Sequence, residues 1–308
     1  MFNYAGFQWL FLFYFYCFGG WCFESAFVSL KSRKWVNRGF MRGPFLPLYG
    51  SGAIMMLVVS GPFADNILLT YVAGVVGATA LEYVTGVVMV ALFKMRYWDY
   101  TNRFMNFQGH ICLRSSLAWG FLTILMTRVI HRPIEGLMYM IPNRMLYYLT
   151  VLLTVYIVAD FTLSFKAALD LKDILVRIMR AREELEHIQK RLDVLIAFCN
   201  DEKEQKRQAR DERRVLWMND LTAGLEQGFA TLKEALLSRP SAYGESVREE
   251  IADLRGKFSF YRESEKGYGR LLDFYKRDMI RNNPSMRSDE YEIAFEELKE
   301  LANDKKGR

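Results

Sequence analysis

Residues 67–93 read ILLTYVAGVVGATALEYVTGVVMVALF, a run of 27 positions with one charged side chain, Glu82. A hydrocarbon core of about 30 Å needs roughly 20 apolar residues as helix, because a lipid-facing backbone group has no water to bond. The run exceeds that length and predicts a membrane span. Four other stretches repeat the pattern: Phe7 to Leu30, which opens FQWLFLFYFYCFGGWCF, then Leu46 to Phe63, Leu113 to Ile130 and Met145 to Phe165. The first lacks the basic start and small-residue cleavage site of a signal peptide, so it reads as a mature span. Ile134–Ile141 is too short to cross and is stopped by Pro142; it is expected as an amphipathic or re-entrant piece at the surface.

Over all 308 residues the mean hydropathy is −0.01, an average that hides two unlike parts. Residues 1–165 hold 12 Lys/Arg and 6 Asp/Glu, whereas residues 166–308 hold 29 of each. The net charge of +6 therefore belongs to the apolar part. A neutral charged half with no basic block interleaved with aromatics argues against nucleic acid as a partner. Cys17, Cys22, Cys112 and Cys199 are too few, and too apolar in setting, for a disulfide scaffold.

Basic residues in short loops resist translocation and so mark the cytoplasmic side. Lys31, Arg33, Lys34, Arg38 and Arg42 follow the first span, and Lys94, Arg96, Arg103 and Arg114 flank the loop after the third. These nine face three on the other side, Arg128, Arg132 and Arg144. Five spans then put the amino terminus outside and the carboxyl terminus in the cytoplasm of a multi-pass cell-membrane protein.

Beyond Phe165 the spacing becomes heptad. Leu171, Ile178, Leu185, Leu192 and Cys199 fill one core position, and Ile174, Ala181, Ile188 and Leu195 fill the other. The fold class expected is thus all-α: a polytopic bundle of about five spans over 1–165, then a cytoplasmic helical domain over 166–308 with a coiled coil near 168–200. The seam needs a partner helix, from the same chain or from a second copy in a homodimer. The run 201–214, DEKEQKRQARDERR, alternates in sign as a solvated helix does, and amphipathic helices fit 215–238, 245–264, 267–281 and 288–303. No phosphate-binding glycine loop occurs, so any ATPase would be a separate protein.

Ionisable groups within spans are expensive and mark sites by default. Glu24, Glu82 and Asp160 are the acidic ones, with Glu82 roughly 16 Å from the cytoplasmic end at 1.5 Å per residue. Desolvation there calls for a cation or a hydrogen-bond donor as partner. The loop WVNRGFMRGPFLPLYGSG at 35–52 is punctuated by Gly39, Gly43, Pro44 and Pro47, as a bent segment packed at the membrane would be. The loop RYWDYTNRFMNFQGHICLRSS at 96–116 carries Asp99, Asn106 and Arg114, while Trp98 and Tyr100 fit an interfacial aromatic belt equally well. His110 has no second histidine near it and signals no metal; no cofactor is called for. Gly74, Gly77, Ala78 and Gly86 would let another helix come close to the third span.

Several stretches resemble a known family: GWCFE at 20–24, VNRGFMRGPFLPLYGSG at 36–52, LEYVTG at 81–86, YWDYTNRFMNFQGHICLRSSLAWG at 97–120, IHRPIE at 130–135 and SDEYEIAFEELKELA at 288–302. They look like the CmpB-like type IV ABC-transporter membrane family. The resemblance implies a polytopic bacterial membrane protein acting as a transporter permease, with Glu24, Arg38, Arg42, Glu82, Asp99, Asn106 and Arg114 as matching polar positions. Transport through a cytosol-facing polar cavity lined by these seven residues is the leading reading. A membrane-embedded enzyme on a lipid or isoprenoid would use Glu82 or Glu24 as general base and the arginines for a phosphate. A scaffold would instead use the coiled coil to recruit cytosolic proteins.

Overall fold

The computed structural model describes residues 4–199, 218–238 and 245–303. Its regular structure is helical apart from one antiparallel pair, Asn106–Phe107 with Ile111–Cys112. The chain divides into two compact units: Met1–Lys172 with Phe274–Glu290, and Asp173–Asp273 with Tyr291–Arg308.

The first unit holds α1 (Gly6–Ser32), α2 (Pro47–Ser60), α3 (Ile67–Phe93), α4 (Leu113–Leu125), α5 (His131–Met140) and the beginning of α6 (Asn143–Cys199). Four helical runs are long and apolar enough to cross a membrane: Gly6–Ser32, Ile67–Phe93, Leu113–Met140 and Asn143–Ile196. The remaining apolar helix, Pro47–Phe63, is shorter. What precedes it explains the difference. Val36 N donates to Ser29 Oγ (2.9 Å), Arg38 N to Ser25 Oγ (3.1 Å) and Leu46 N to Cys17 O (3.0 Å). Residues 36–46 therefore run antiparallel to α1 over roughly 18 Å of its length, standing in for the turns that α2 lacks. Irregular backbone at such depth survives only inside protein, and Val36, Met41, Phe45 and Leu46 are buried. Gly39, at φ 140°, makes a bend that a side chain would strain.

The piece expected at the surface over 134–141 is instead the end of a longer rod. Between α4 and α5 the helix widens into a π turn, Met126–Ile130, closed by His131 N–H to Met126 O. Pro133 supplies the reason, since it has no N–H for the carbonyl four residues back and its ring would collide there. The glycines of α3 do bring neighbours close. A Cβ on Gly74 would run into Thr123 of α4, one on Gly77 would press on Val59 of α2, and one on Gly86 would meet the His110 ring.

In the second unit the heptad residues Ile174, Ile178, Ala181, Leu185, Ile188, Leu192 and Leu195 are buried. Helix α7 (Met218–Ser238) lies on this seam so closely that a Cβ on Gly228 would meet Leu192. Helix α8 (Glu245–Leu271) packs Phe258 against Phe229 of α7, with ring centroids 5.5 Å apart. Arg262 pairs with Glu226 at 2.5 Å. The second copy expected through the heptads is therefore not needed to bury them. Helix α9 (Phe274–Asn282) belongs to the first unit, and α10 (Glu292–Asn303), with Ala294, Phe295, Leu298 and Ala302 buried, to the second. The charged run 201–214 lies outside the described residues, as does the side chain of Cys199.

Candidate functional site

Glu82 projects from α3 and is 6% exposed. Trp119 Nε1 of α4 donates to its Oε2 at 3.0 Å, Ser115 Oγ to the same oxygen at 3.3 Å, and the Tyr100 hydroxyl to Oε1 at 3.1 Å. All three donors are neutral. Helix spacing explains two of them, since Ser115 and Trp119 stand four residues apart and share one face of α4. Tyr100 arrives from the loop between α3 and the strand Asn106–Phe107. Burial, then the charge and hydrogen bond of Glu82, push its hydroxyl proton affinity up, so the O–H stays on Tyr100 as the donor.

Glu24 and Arg38 come together at the end of α1. Arg38 Nε lies 3.5 Å from Glu24 Oε1, and the Tyr49 hydroxyl, in the first turn of α2, donates to Glu24 Oε2 at 2.7 Å.

Two of the remaining predicted positions, Arg42 and Asp99, face the segment 274–290. The Arg42 guanidinium stands 4.3 Å from the Phe274 ring and 4.4 Å from the Tyr275 ring, a stacked cation. Asp99 pairs with Arg287 at 2.8 Å and accepts from Thr101 N at 3.0 Å. Burial would raise its carboxyl, but the bonds from Thr101 and the charges of Arg287 and Arg96 outweigh that and hold it below its ordinary value. Asn106 donates to Thr101 O and Arg103 O (2.9 and 3.1 Å), which shapes the loop itself. Arg114 is exposed at the start of α4.

The same segment also covers the predicted cationic loops. Asn283, 1% exposed, accepts from Arg38 Nη1 (3.1 Å) and donates to Gly39 O (3.0 Å) and Met279 O (2.8 Å). Ser285 Oγ accepts from Arg38 Nη2 (2.9 Å) and donates to Tyr97 O (2.9 Å). Arg96 and Arg287 exchange backbone hydrogen bonds (2.7 and 3.0 Å), Arg96 also pairs with Asp289, and Lys94 pairs with Glu290 at 2.9 Å. Sequence reasoning missed this capping segment, as well as Tyr49, Ser115 and Trp119. The one available hint was Asn282-Asn283-Pro284, which reads only as a helix stop.

Helices of membrane-spanning length around the buried carboxyl group of Glu82 are those of a membrane protein. Residues 11–165 match the family described as "Putative ABC-transporter type IV", half of the chain, and the protein belongs to that family. No curated protein and no solved structure matches it.

Proposed function

We propose that the first unit is the permease-like part of a transport system. In this reading Glu82 lines a path entered from the cytosol, together with Glu24, Arg38, Arg42, Asp99, Asn106 and Arg114. The path takes a polar or phosphate-bearing head group. The reading rests on the setting of Glu82, buried within an apolar span and held by three neutral donors. An ionisable group at such depth is costly to keep, so it marks a site rather than packing alone. Neutral donors hold it in place and leave its charge for a visiting group. The loops 33–46 and 94–112 face the cytoplasm and the amino terminus lies outside. With 274–290 on Arg38 and Arg42, the form described has its cytosolic entrance latched. The energy comes from a separate ATPase or from an ion gradient.

The test begins with whatever amphiphile or solute co-purifies with the full chain in lipid nanodiscs, identified by mass spectrometry. Its uptake into vesicles is then measured with wild type and Glu82→Gln. Loss of uptake with retained co-purification is expected. Chemical conversion of the compound by wild type points to the enzyme, and unchanged uptake in Glu82→Gln defeats the assignment.

A further inference from the structure

A second buried polar cluster lies at the far end of the first unit, centred on His131, roughly 27 Å along the α4–α5 rod from Leu113. The π turn and Pro133 set the phase of α5 so that His131 points inward, 0% exposed. Both ring nitrogens meet tyrosine hydroxyls: Nδ1 lies 2.6 Å from the Tyr16 oxygen and Nε2 lies 2.8 Å from the Tyr4 oxygen. Tyr4 also donates to Glu135 Oε1, one helical turn beyond His131. Leu12, Met56, Leu57 and Met126 belong to the apolar core beside it.

The directions of these bonds follow from counting hydrogens. Tyr4 has one O–H, which goes to the Glu135 carboxylate, so toward Nε2 it accepts and Nε2 carries the imidazole proton. Nδ1 is then the bare nitrogen and accepts from Tyr16. The chain reads Tyr16 O–H to Nδ1, Nε2–H to Tyr4, Tyr4 O–H to Glu135, all pointing one way. A second arrangement reverses the same three bonds: Glu135 O–H to Tyr4, Tyr4 O–H to Nε2, Nδ1–H to Tyr16, whose own O–H then turns away from the ring. The second holds one proton more than the first. Tyr16 takes that proton from outside the relay as it passes its own to Nδ1, Nε2 passes one to Tyr4 and Tyr4 one to Glu135, so the Glu135 carboxylate is neutralised and the imidazole is neutral in both.

We propose that Tyr16, His131, Tyr4 and Glu135 form a proton-binding relay that takes up one proton per chain. Uptake removes the carboxylate charge instead of burying an imidazolium, and three hydrogen bonds join the four groups before and after it. Other titratable groups around His131 are few among the described residues. Tyr139 is near Tyr4, with ring centroids 6.3 Å apart, and α2 carries no charged residue. The N-terminal part of α6 contributes Arg144, which is exposed. The relay does not depend on the transport reading. If that reading holds, it identifies the proton as an ion the membrane unit can couple to.

The tautomer of His131 is directly readable. The full chain, labelled with nitrogen-15 histidine and held in nanodiscs, is titrated downward in pH, and His131 is assigned by the signals lost in His131→Gln. Should that variant not fold, the double replacement His110→Gln/His187→Gln leaves His131 as the one histidine. The expected result is conversion from the Nε2–H to the Nδ1–H form in a single one-proton step. Tyr4→Phe fills the same space without the hydroxyl and should abolish the conversion. An imidazolium spectrum, a tautomer unchanged wherever the helical circular dichroism persists, or conversion surviving in Tyr4→Phe would overturn the relay. The wild-type titration decides even if Tyr4→Phe does not fold.

Discussion

Replacing Asn283 by alanine should release the segment 274–290 from the loops it covers. The side chain makes two hydrogen bonds to carbonyls, of Gly39 and Met279, and one from the Arg38 guanidinium. The bond to Met279 lies within the segment and survives its release; of the other two, the neutral one contributes about 1 kcal/mol and the one from the charged group about 2, so the loss is roughly 3 kcal/mol. At 1.4 kcal/mol per tenfold, the open population rises by roughly 140-fold. Hydrogen exchange of the full chain in nanodiscs, followed on peptides from 274–290, reads that population directly. The exposed ion pairs of the segment, worth about 0–1 kcal/mol each, cannot make up the difference. Exchange within about fivefold of wild type, with α1 and α3 still protected, would refute the claim that Asn283 anchors the segment.

Acid should loosen the same segment. The Asp99 carboxyl is held below its ordinary value, so its contribution is complete above the unfolded value of about 3.9 and disappears as pH falls through the lower folded one. A spin label at Pro284 should show a small gain in mobility in that window, and Asp99→Asn the same small gain already at neutral pH. Leu185→Ala, at a fully buried position, should cost about 2–5 kcal/mol in denaturant unfolding and leave the mass in detergent unchanged. A change of mass would mean that the seam binds another copy. Gly74→Val places atoms where Thr123 stands and should destabilise the protein by about 1–3 kcal/mol in thermal unfolding. Gly52→Ala, with open space around it, should be neutral.

The apolar helices are legible in the sequence because lipid tolerates so few alternatives. A 27-residue run such as 67–93 has no other stable form in hydrocarbon. The second apolar run is harder to read, since hydropathy counts residues and does not distinguish helix from the irregular, bent stretch 36–46 that lies beside α1. The loop glycines and prolines did signal a bend there. Of the candidate site, the carboxylates and arginines stand out because charge in an apolar run is conspicuous. Their partners do not: Tyr49, Ser115 and Trp119 are ordinary membrane-helix residues, and only the packing of α2 and α4 directs their polar atoms. The capping segment was illegible for a different reason. Arg38 and Asn283 are separated by 245 residues, and no local pattern encodes a contact of that range. The His131 cluster was overlooked because Pro133 suggests an end to a helix, whereas here it makes a π turn inside one.

The place of 274–290 in the chain bears on biogenesis. The helices of residues 6–172 leave the ribosome first, with the basic loops bare, and nothing can cap Arg38 or Arg96 until the intervening hundred or so residues of the second unit have been made. Docking of this late segment reports that synthesis has passed residue 290. A chain interrupted earlier would carry a row of uncovered arginines at the membrane face, a mark by which quality control could tell an unfinished molecule from a finished one.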